Sequence, residues 1–227
     1  MQEVSGIEIL KEDQEKSLYD ESYFEHGLES GRSLYQNYRW IPELTIPMAM
    51  TIIDFLRIKR GQTILDFGCA KGYLVKALRL LYRDAYGVDV SEYAIENADP
   101  VAKDFCSLKK EHWKRTRQLG FPSRYDYCIA KDVFEHIDKQ ELKTELANIP
   151  AEVLFAVIPL GEGGSYIAGV NDWDITHKIC ETGEWWVDFF SHTMWNVQDF
   201  RLCIPGIKDQ YYEQNPESHG FFTLRRR

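Results

Sequence analysis

Short apolar runs alternate with longer amphipathic stretches through the middle of this chain. The apolar runs predict buried strands at 63–67, 85–90, 126–130 and 153–158, and two closing strands at 200–204 and 221–224. Apolar residues at helical spacing predict helices at 72–82, 91–98, 135–147 and 182–192. This alternation predicts an α/β fold of the doubly wound type, with helices on both faces of a mostly parallel sheet.

The first part of the chain has a different character. Residues up to about 43 are rich in Tyr, Glu and Ser, and their aromatic content argues against a disordered tail. We therefore predict an N-terminal helical cap at 1–45 and a main domain at 46–227, which opens on a helix at 47–58. We propose that aromatic residues near both ends of the chain form a lid and a stacking wall, and core packing is the alternative. These residues are Tyr23, Tyr35, Tyr38, Trp40, Trp173, Trp185 and Trp186.

Composition narrows the classes of function. The 227 residues suit one domain, and the net charge of −9, from 27 Lys and Arg against 36 Asp and Glu, argues against a broad nucleic-acid surface. We interpret two local basic runs, at 109–117 and 225–227, as a solvated helix face and a solubilising tail. Residues 1–16 lack the apolar segment of a signal peptide, and the apolar run at 153–160 is too short to span a bilayer. We expect a cytoplasmic protein without a membrane anchor.

A strand, a turn of small residues and a helix meet at the sequence D-x-G-x-A-x-G, which begins at Asp66. The turn allows the backbone to approach a ligand, and its small residues are Gly68, Cys69, Ala70 and Gly72. A second acid, Asp89, ends the next predicted strand, where nucleoside-binding α/β units hold a ribose diol. The dinucleotide motif G-x-G-x-x-G has no acid before its first glycine. Asp66 would repel a pyrophosphate but suits a cofactor with an amino group and a sulfonium.

At these residues the chain resembles the class I S-adenosylmethionine-dependent methyltransferases, especially those that act on small molecules. The resemblance covers about 63–159 and departs from the usual D-x-G-x-G-x-G only at Ala70. It implies a Rossmann-like, seven-stranded, mostly parallel sheet and S-adenosylmethionine as the cofactor.

The resemblance also implies roles for the cofactor-binding residues. Asp66 would orient the methionine end, while Gly68 and Gly72 would allow close approach of the backbone. Asp89, with Val90 beside it, would bind the ribose hydroxyls. The pair that contacts adenine after the third strand would be Asp104 and Phe105.

Further resemblance places Lys131 and Asp132 in the turn that faces the transferred methyl group. Glu135-His136 resembles a frequent Glu-His pair at the start of the next helix, with helix-end packing as the alternative for the histidine.

Methyl transfer from a sulfonium mainly requires alignment of the nucleophile and exclusion of water, but a hydroxyl acceptor also needs a general base. His177, after the last parallel strand, is the candidate base, and Asp174 is the candidate that orients it; a structural loop histidine is the alternative. The five cysteines form no C-x-x-C pair, and Asp132 with Asn171 and Asp172 only loosely matches the acids of metal-assisted catechol enzymes. We therefore predict no metal site.

Absent motifs narrow the methyl acceptor. Residues 130–133 lack the Asn/Asp-Pro-Pro-aromatic sequence of enzymes that methylate nucleobase amino groups, and Cys128 lacks the preceding proline of cytosine-C5 enzymes. A hydroxyl of a small molecule or a glycan is the predicted acceptor. The alternatives are an RNA- or protein-methylating enzyme of the same fold and a non-catalytic cofactor-binding regulatory module. A nicotinamide-dependent dehydrogenase is a third, which Asp66 disfavours.

Overall fold

The computed structural model describes residues 18–111 and 120–227. The strands of its main sheet are β1 (Thr63–Phe67), β2 (Asp84–Asp89), β3 (Cys106–Leu108), β4 (Tyr125–Lys131), β5 (Ala151–Pro159), β8 (Trp195–Arg201) and β9 (His219–Arg226). Their order is β3-β2-β1-β4-β5-β9-β8. The first five are parallel, and β9 runs antiparallel between β5 and β8. The predicted seven-stranded, mostly parallel sheet is confirmed.

Helices and a small hairpin complete the described chain. The α-helices are α1 (Glu21–Glu25), α2 (Gly27–Ser30), α3 (Pro42–Leu56), α4 (Tyr73–Leu80), α5 (Glu92–Glu96), α6 (Lys139–Asn148), α7 (Gly183–Ser191) and α8 (Asp209–Tyr212). The hairpin, predicted as loop, consists of β6 (Gly161–Glu162) and β7 (Ser165–Tyr166). Single 3₁₀ turns lie at Lys103–Phe105, Phe134–His136 and Gly169–Trp173.

Helix α3 begins five residues before the predicted start at 47. Pro42 occupies the first turn, where a missing N–H costs nothing, and Pro47 is accommodated farther along the same helix. The predicted division between a cap and a main domain, after residue 45, therefore falls within α3.

Both faces of the sheet are buried, and the alternation along β5 shows how. Leu154, Ala156 and Ile158 pack into a core with α6 and α7, whereas Phe155 and Val157 pack into a core with α3 and α4. Strand residues buried on both faces explain why the sequence pattern there is a continuous apolar run.

Two interpretations of surface residues change in the structure. Arg226 belongs to β9 and donates to the carbonyls of Ile149 and Ala147, so the prediction of a solubilising tail at 225–227 is wrong.

Trp186 is fully buried in the core below α7, and Trp173 is 63% exposed, so neither forms a stacking wall. Part of the basic run at 109–117 and all of residues 1–16 lie outside the described residues.

No helix in the described ranges is both long and apolar enough to cross a membrane.

Candidate active site

The turn after β1 is held in an unusual backbone conformation. Gly68, Ala70 and Gly72 have φ angles of 81°, 48° and 74°, in the left-handed region. A Cβ added at Gly68 would lie 2.5 Å from Val133, and one at Gly72 would lie 2.8 Å from the Cys106 sulfur. The glycines thus make room for neighbouring protein as well as for a ligand.

Asp89, at the carboxyl end of β2, is bonded to this turn. Its carboxylate accepts from the backbone N–H of Ala70 over 2.7 Å and from that of Ser91 over 2.8 Å. Burial raises the pKa of Asp89, and the hydrogen bonds from Ser91 and Ala70 oppose the rise. The carboxylate is therefore positioned by its neighbours before any ligand binds.

Asp66, the acid that precedes the turn, is almost entirely buried. Burial raises its pKa to about 7, with Lys131 opposing the rise and Asp89 adding to it. A carboxyl group with this pKa gains a full charge most readily when a cation binds beside it.

A cavity of about 120 Å³ opens next to Asp89. Its wall includes the turn at Gly68 and Ala70, with Val90 beside Asp89 and Val133 and Ile137 opposite. The N-terminal segment covers it with the rings of Tyr19, Tyr23, Phe24 and Tyr35. A mainly apolar cavity with the Asp89 carboxylate in its wall suits a nucleoside.

The N-terminal segment is tied to the turn through Lys71. The Lys71 ammonium donates to the Glu25 carboxylate of α1 and, over 3.1 Å, to the carbonyl of Tyr38. Glu25 also accepts from the Tyr93 hydroxyl over 3.1 Å, and the Ser91 hydroxyl donates to the Tyr19 carbonyl over 2.6 Å. The cover over the cavity is thus bonded to both motifs that the sequence singled out.

Asp104 and Phe105 lie elsewhere. They form a 3₁₀ turn before β3, whereas the sequence analysis placed them after a strand. Phe105 stacks under the Arg79 guanidinium, which is 3.2 Å from the ring centre, and neither residue lines the cavity beside Asp89. The predicted placement of Asp104 and Phe105 after the third strand is wrong, because the short strand β3 begins only at Cys106. The residue directly after the carboxyl end of β3 is Lys109, which lines the cavity.

A second cavity, of about 420 Å³, adjoins the first. Asp66 and Tyr38 line it on the side of the turn, and Asn171, Asp174 and His177 line it on the far side. The residues that line both cavities are Tyr23, Tyr35, Gly68, Asp132 and His136. They mark the junction between the two spaces.

Lys131 is the last residue of β4 and Asp132 follows it, at the junction. Its carboxylate pairs with Lys131 over 2.5 Å and with Lys208 over 2.6 Å. Burial would raise the pKa of Asp132, but the two ammonium groups outweigh it and hold the pKa well below its usual range. Asp132 is therefore a stable anion and a poor proton acceptor.

His177 faces the second cavity, but Asp174 does not hold it. The Nδ1 atom of His177 lies 2.8 Å from the Asn171 carbonyl oxygen. Asp174 instead accepts from the Tyr23 hydroxyl over 2.9 Å and from the Thr176 hydroxyl over 2.5 Å. The predicted pairing of Asp174 with His177 is wrong, because the turn at 174–176 directs the carboxylate to its own following residues.

His136 is the histidine that Asp174 positions, through Thr176. The His136 Nδ1 atom lies 2.8 Å from the Thr176 hydroxyl, and the rings of His136 and His177 are 4.5 Å apart. Burial, reinforced by His177, lowers the pKa of His136 to about 4, and burial also lowers the pKa of His177. Both imidazoles are thus neutral near pH 7.

Residues 45–151 match a family model described as a methyltransferase domain. The match spans the Asp66 turn, Asp89 and the Glu135-His136 pair. This chain contains a methyltransferase domain of the S-adenosylmethionine-dependent type. The residues present fit that cofactor, because Asp89 in the first cavity would offer a carboxylate to a ribose diol and Asp66, a buried acid that lines the adjoining cavity, would face the amino group.

Solved structures share the methyltransferase fold. The [4+2]-cyclase SpnF has a TM-score of 0.59 at 13% identity, over 95% of this chain and 96% of that chain. The magnesium protoporphyrin IX methyltransferase of Synechocystis PCC 6803, with bound S-adenosylhomocysteine, has a TM-score of 0.58 at 13% identity, over 93% and 100%. The mitomycin 7-O-methyltransferase MmcR has a TM-score of 0.54 at 14% identity, over 89% and 66%. A search of curated protein sequences found no match.

Two lysines that line the cavities escaped the sequence analysis. Lys109 was assigned to a basic surface run, yet it lines the cavity beside Asp89 and pairs with Glu145 over 2.5 Å. Lys208, which pairs with Asp132, follows β8 in a segment without a motif. A basic residue directly after a parallel strand was the available signal for Lys109, and nothing in the sequence marked Lys208.

Proposed function

We propose that this methyltransferase transfers its methyl group to a hydroxyl of a small molecule or a glycan. The observation that carries the proposal is the second cavity, which is lined by His177 and shares His136 with the cavity beside Asp89. Its volume, about 420 Å³, is in the range of small-molecule sites. When bound, S-adenosylmethionine supplies an electrophilic methyl group.

The chain's own residues would hold the cofactor and align the acceptor. Asp89 would accept from the ribose hydroxyls, and Asp66 would pair with the amino group. Lys131 and Lys208 keep Asp132 charged at the junction, where it would orient the acceptor. The aromatic cover of Tyr19 and Tyr23 would exclude water.

The proton of the acceptor hydroxyl must leave as the new C–O bond forms. His136 and His177 are neutral, so both can assist with this proton, and we keep His177 as the predicted catalytic residue. Asp174 becomes a positioning residue that acts through Thr176 on His136.

Two comparisons support a small-molecule acceptor without identifying it. The mitomycin 7-O-methyltransferase and the magnesium protoporphyrin IX methyltransferase act on small molecules and share the fold. The net charge of −9 disfavours RNA as the acceptor. We also propose a cytoplasmic location, since all five cysteines are free thiols, as in a reducing compartment.

The test is product analysis with a deuterium-labelled methyl donor. Wild-type protein would be incubated with small-molecule extracts and with a panel of phenols and sugars, and products identified by mass spectrometry. We expect labelled methyl ethers, a loss of roughly 10²–10⁴-fold in turnover for His177→Ala, and no change for His192→Ala, which alters an exposed histidine.

Two results would contradict this proposal. Label found only on nitrogen or carbon would exclude the hydroxyl acceptor. Label incorporated into RNA or protein, together with RNA binding that weakens steeply with salt, would favour the macromolecular alternative. Calorimetry with S-adenosylhomocysteine shows separately whether each variant still binds the cofactor product.

A further inference from the structure

Three potential metal ligands converge at the wall of the second cavity. Glu135, His136 and His177 each present one ligand atom, and these atoms all lie within 4.8 Å of one another. The Nε2 atom of His136 is 3.7 Å from a carboxylate oxygen of Glu135. Donor atoms bound to one Zn²⁺ in tetrahedral geometry lie roughly 3.5 Å apart. Small side-chain rotations would therefore bring all three onto a single ion.

The hydrogen bonds of the two histidines fix which nitrogen is available. A carbonyl oxygen only accepts, so the His177 Nδ1 atom must carry the proton that bonds to Asn171. The Thr176 hydroxyl already donates to Asp174, so it accepts from Nδ1 of His136. In both rings Nε2 therefore keeps a free lone pair. Metal-binding histidines are held in this way, with the other ring nitrogen donating to a carbonyl or to a carboxylate-linked group.

Glu135 supplies the second, independent observation. Its side chain is fully buried, and neither carboxylate oxygen has a hydrogen-bond partner among the described residues. The nearby ammonium groups of Lys131 and Lys208 pair with Asp132 instead. A buried carboxylate without a partner is costly unless something else satisfies it. A bound cation would do so.

The loop that carries His177 is docked directly onto Glu135. The backbone N–H groups of Lys178 and Ile179 donate to the Glu135 carbonyl over 2.7 and 3.0 Å. These bonds hold the histidine of one loop against the Glu-His pair of another, although the residues are far apart in the sequence.

We propose that Glu135, His136 and His177 bind a divalent transition-metal ion, with Zn²⁺ as the best match to a donor set of two imidazoles and one carboxylate. Three protein ligands leave a coordination position open toward the cavity. This reverses the sequence-based expectation of no metal site. The proposal gives His177 a metal-binding role in place of the proton-accepting role, and it rests on the proposed hydroxyl acceptor only for the catalytic role of the ion.

That role follows from the location of His136 at the junction of the two cavities. The acceptor hydroxyl would bind at the open position, where the cation makes it more acidic, and its proton would pass to solvent through the cavity. The oxygen lone pair then forms the bond to the methyl carbon. The bond from that carbon to sulfur breaks, and its electron pair remains on sulfur.

Co²⁺ is the probe for the site, because its visible absorption reports coordination. Titration of chelator-treated protein should show one saturable site in the micromolar range, and Zn²⁺ should displace the Co²⁺. Glu135→Gln and His177→Gln should each weaken Co²⁺ binding by 100-fold or more. Thr176→Val, which removes only the partner of His136, should weaken it by roughly 10–100-fold. His192→Gln, at an exposed histidine, should bind as the wild type does.

Binding of S-adenosylhomocysteine confirms that each variant is folded. If Glu135→Gln does not bind it, the Co²⁺ affinity of His177→Gln tests the metal site instead. The metal site is excluded if the wild type binds neither Co²⁺ nor Zn²⁺, or if both ligand variants bind like the wild type. Metal binding without hydroxyl methylation would leave the site standing and overturn the proposed function. Equal methyl-ether formation by metal-free and metal-loaded enzyme would overturn the catalytic role of the ion.

Discussion

The backbone N–H of Ala70 donates to the carboxylate of Asp89 over 2.7 Å, which joins the turn after β1 to the end of β2. The same carboxylate accepts from Ser91 at the start of α5. One acid therefore organises the loops after two neighbouring strands before the cofactor binds. Its loss should affect the turn as well as the ribose contact.

We expect Asp89→Ala to weaken S-adenosylhomocysteine binding by at least about 100-fold, because two charge-assisted hydrogen bonds to the ribose contribute about 1.5–3 kcal/mol each. Asp84→Asn, at the exposed start of the same strand, is the matched control and should bind normally. Calorimetry measures both affinities. An Asp89→Ala protein that binds as tightly as the control would remove the ribose role from this residue.

Gly68→Ala should destabilise the protein more than Gly61→Ala. Both glycines have nearly the same φ, 81° and 82°, so the backbone strain of an added Cβ is matched. Only at Gly68 would the new atom meet Val133, at 2.5 Å, whereas Gly61 has open space. Strain alone costs about 1–2 kcal/mol at either position, and the clash adds to it at Gly68.

Urea denaturation gives the free energy of unfolding of each variant. Combining Gly68→Ala with Val133→Ala should recover part of the loss, because the clashing methyl groups are gone. Equal stability of the two single glycine variants would show that Val133 moves away without cost.

Lys71→Met should loosen the aromatic cover while leaving the sheet intact. The substitution removes the ammonium group that donates to Glu25 and to the Tyr38 carbonyl. These two hydrogen bonds hold the N-terminal segment on the turn after β1. Breaking a largely buried ion pair costs about 3–5 kcal/mol, and here the cost falls on the local attachment. We expect faster amide hydrogen exchange at 20–38 and faster release of S-adenosylhomocysteine.

The matched control is Lys76→Met, in helix α4, which breaks a similarly buried pair with Asp99. Exchange at 20–38 should stay slow in that variant. If both variants exchange alike, Lys71 is not the anchor of the cover.

Cofactor affinity should depend on pH through Asp66. Burial raises the pKa of this carboxyl to about 7, so it is largely protonated below that value and charged above it. We propose that the charged form pairs with the amino group of the cofactor, so affinity should fall as pH drops below about 7, by up to tenfold per unit, and stay level above it. Lys131 and Asp89 face the same carboxyl, and both lie on neighbouring strands.

The variant Asp66→Asn distinguishes the contribution of Asp66 to the pH dependence from those of Lys131 and Asp89. The variant should bind S-adenosylhomocysteine more weakly at pH 8 and show a flat profile between pH 6 and 8. A slope that persists in Asp66→Asn would assign the pH dependence to another group, with Asp89 the first to examine.

Local chemistry made much of the fold and cofactor site predictable from the sequence. Strand β1 was predicted at its observed bounds, because an apolar run followed by a glycine turn has one consistent interpretation. Asp66 and Asp89 lie near the carboxyl ends of two parallel strands, and such ends meet at one edge of the sheet. The hydrophobic period of the strands and the glycine turn alone therefore predicted that the two acids lie close together. The short strand β3 has too few residues for a period, and the prediction for Asp104 and Phe105 failed there.

The arrangement of residues around the second cavity, where the acceptor is proposed to bind, follows only from the tertiary structure. No spacing rule relates Glu135 and His136 to His177, since the loop between β5 and α7 can dock in many ways until its backbone bonds to Glu135. The partner of each imidazole likewise depends on which groups lie within 3 Å of it in the folded chain. These are the backbone carbonyl of Asn171 for His177 and the Thr176 hydroxyl for His136, and Asp174 contacts neither ring directly. Hydrophobic patterning specifies which face of an element is buried, but the pairing of polar groups between distant loops depends on distances that exist only after the chain has folded.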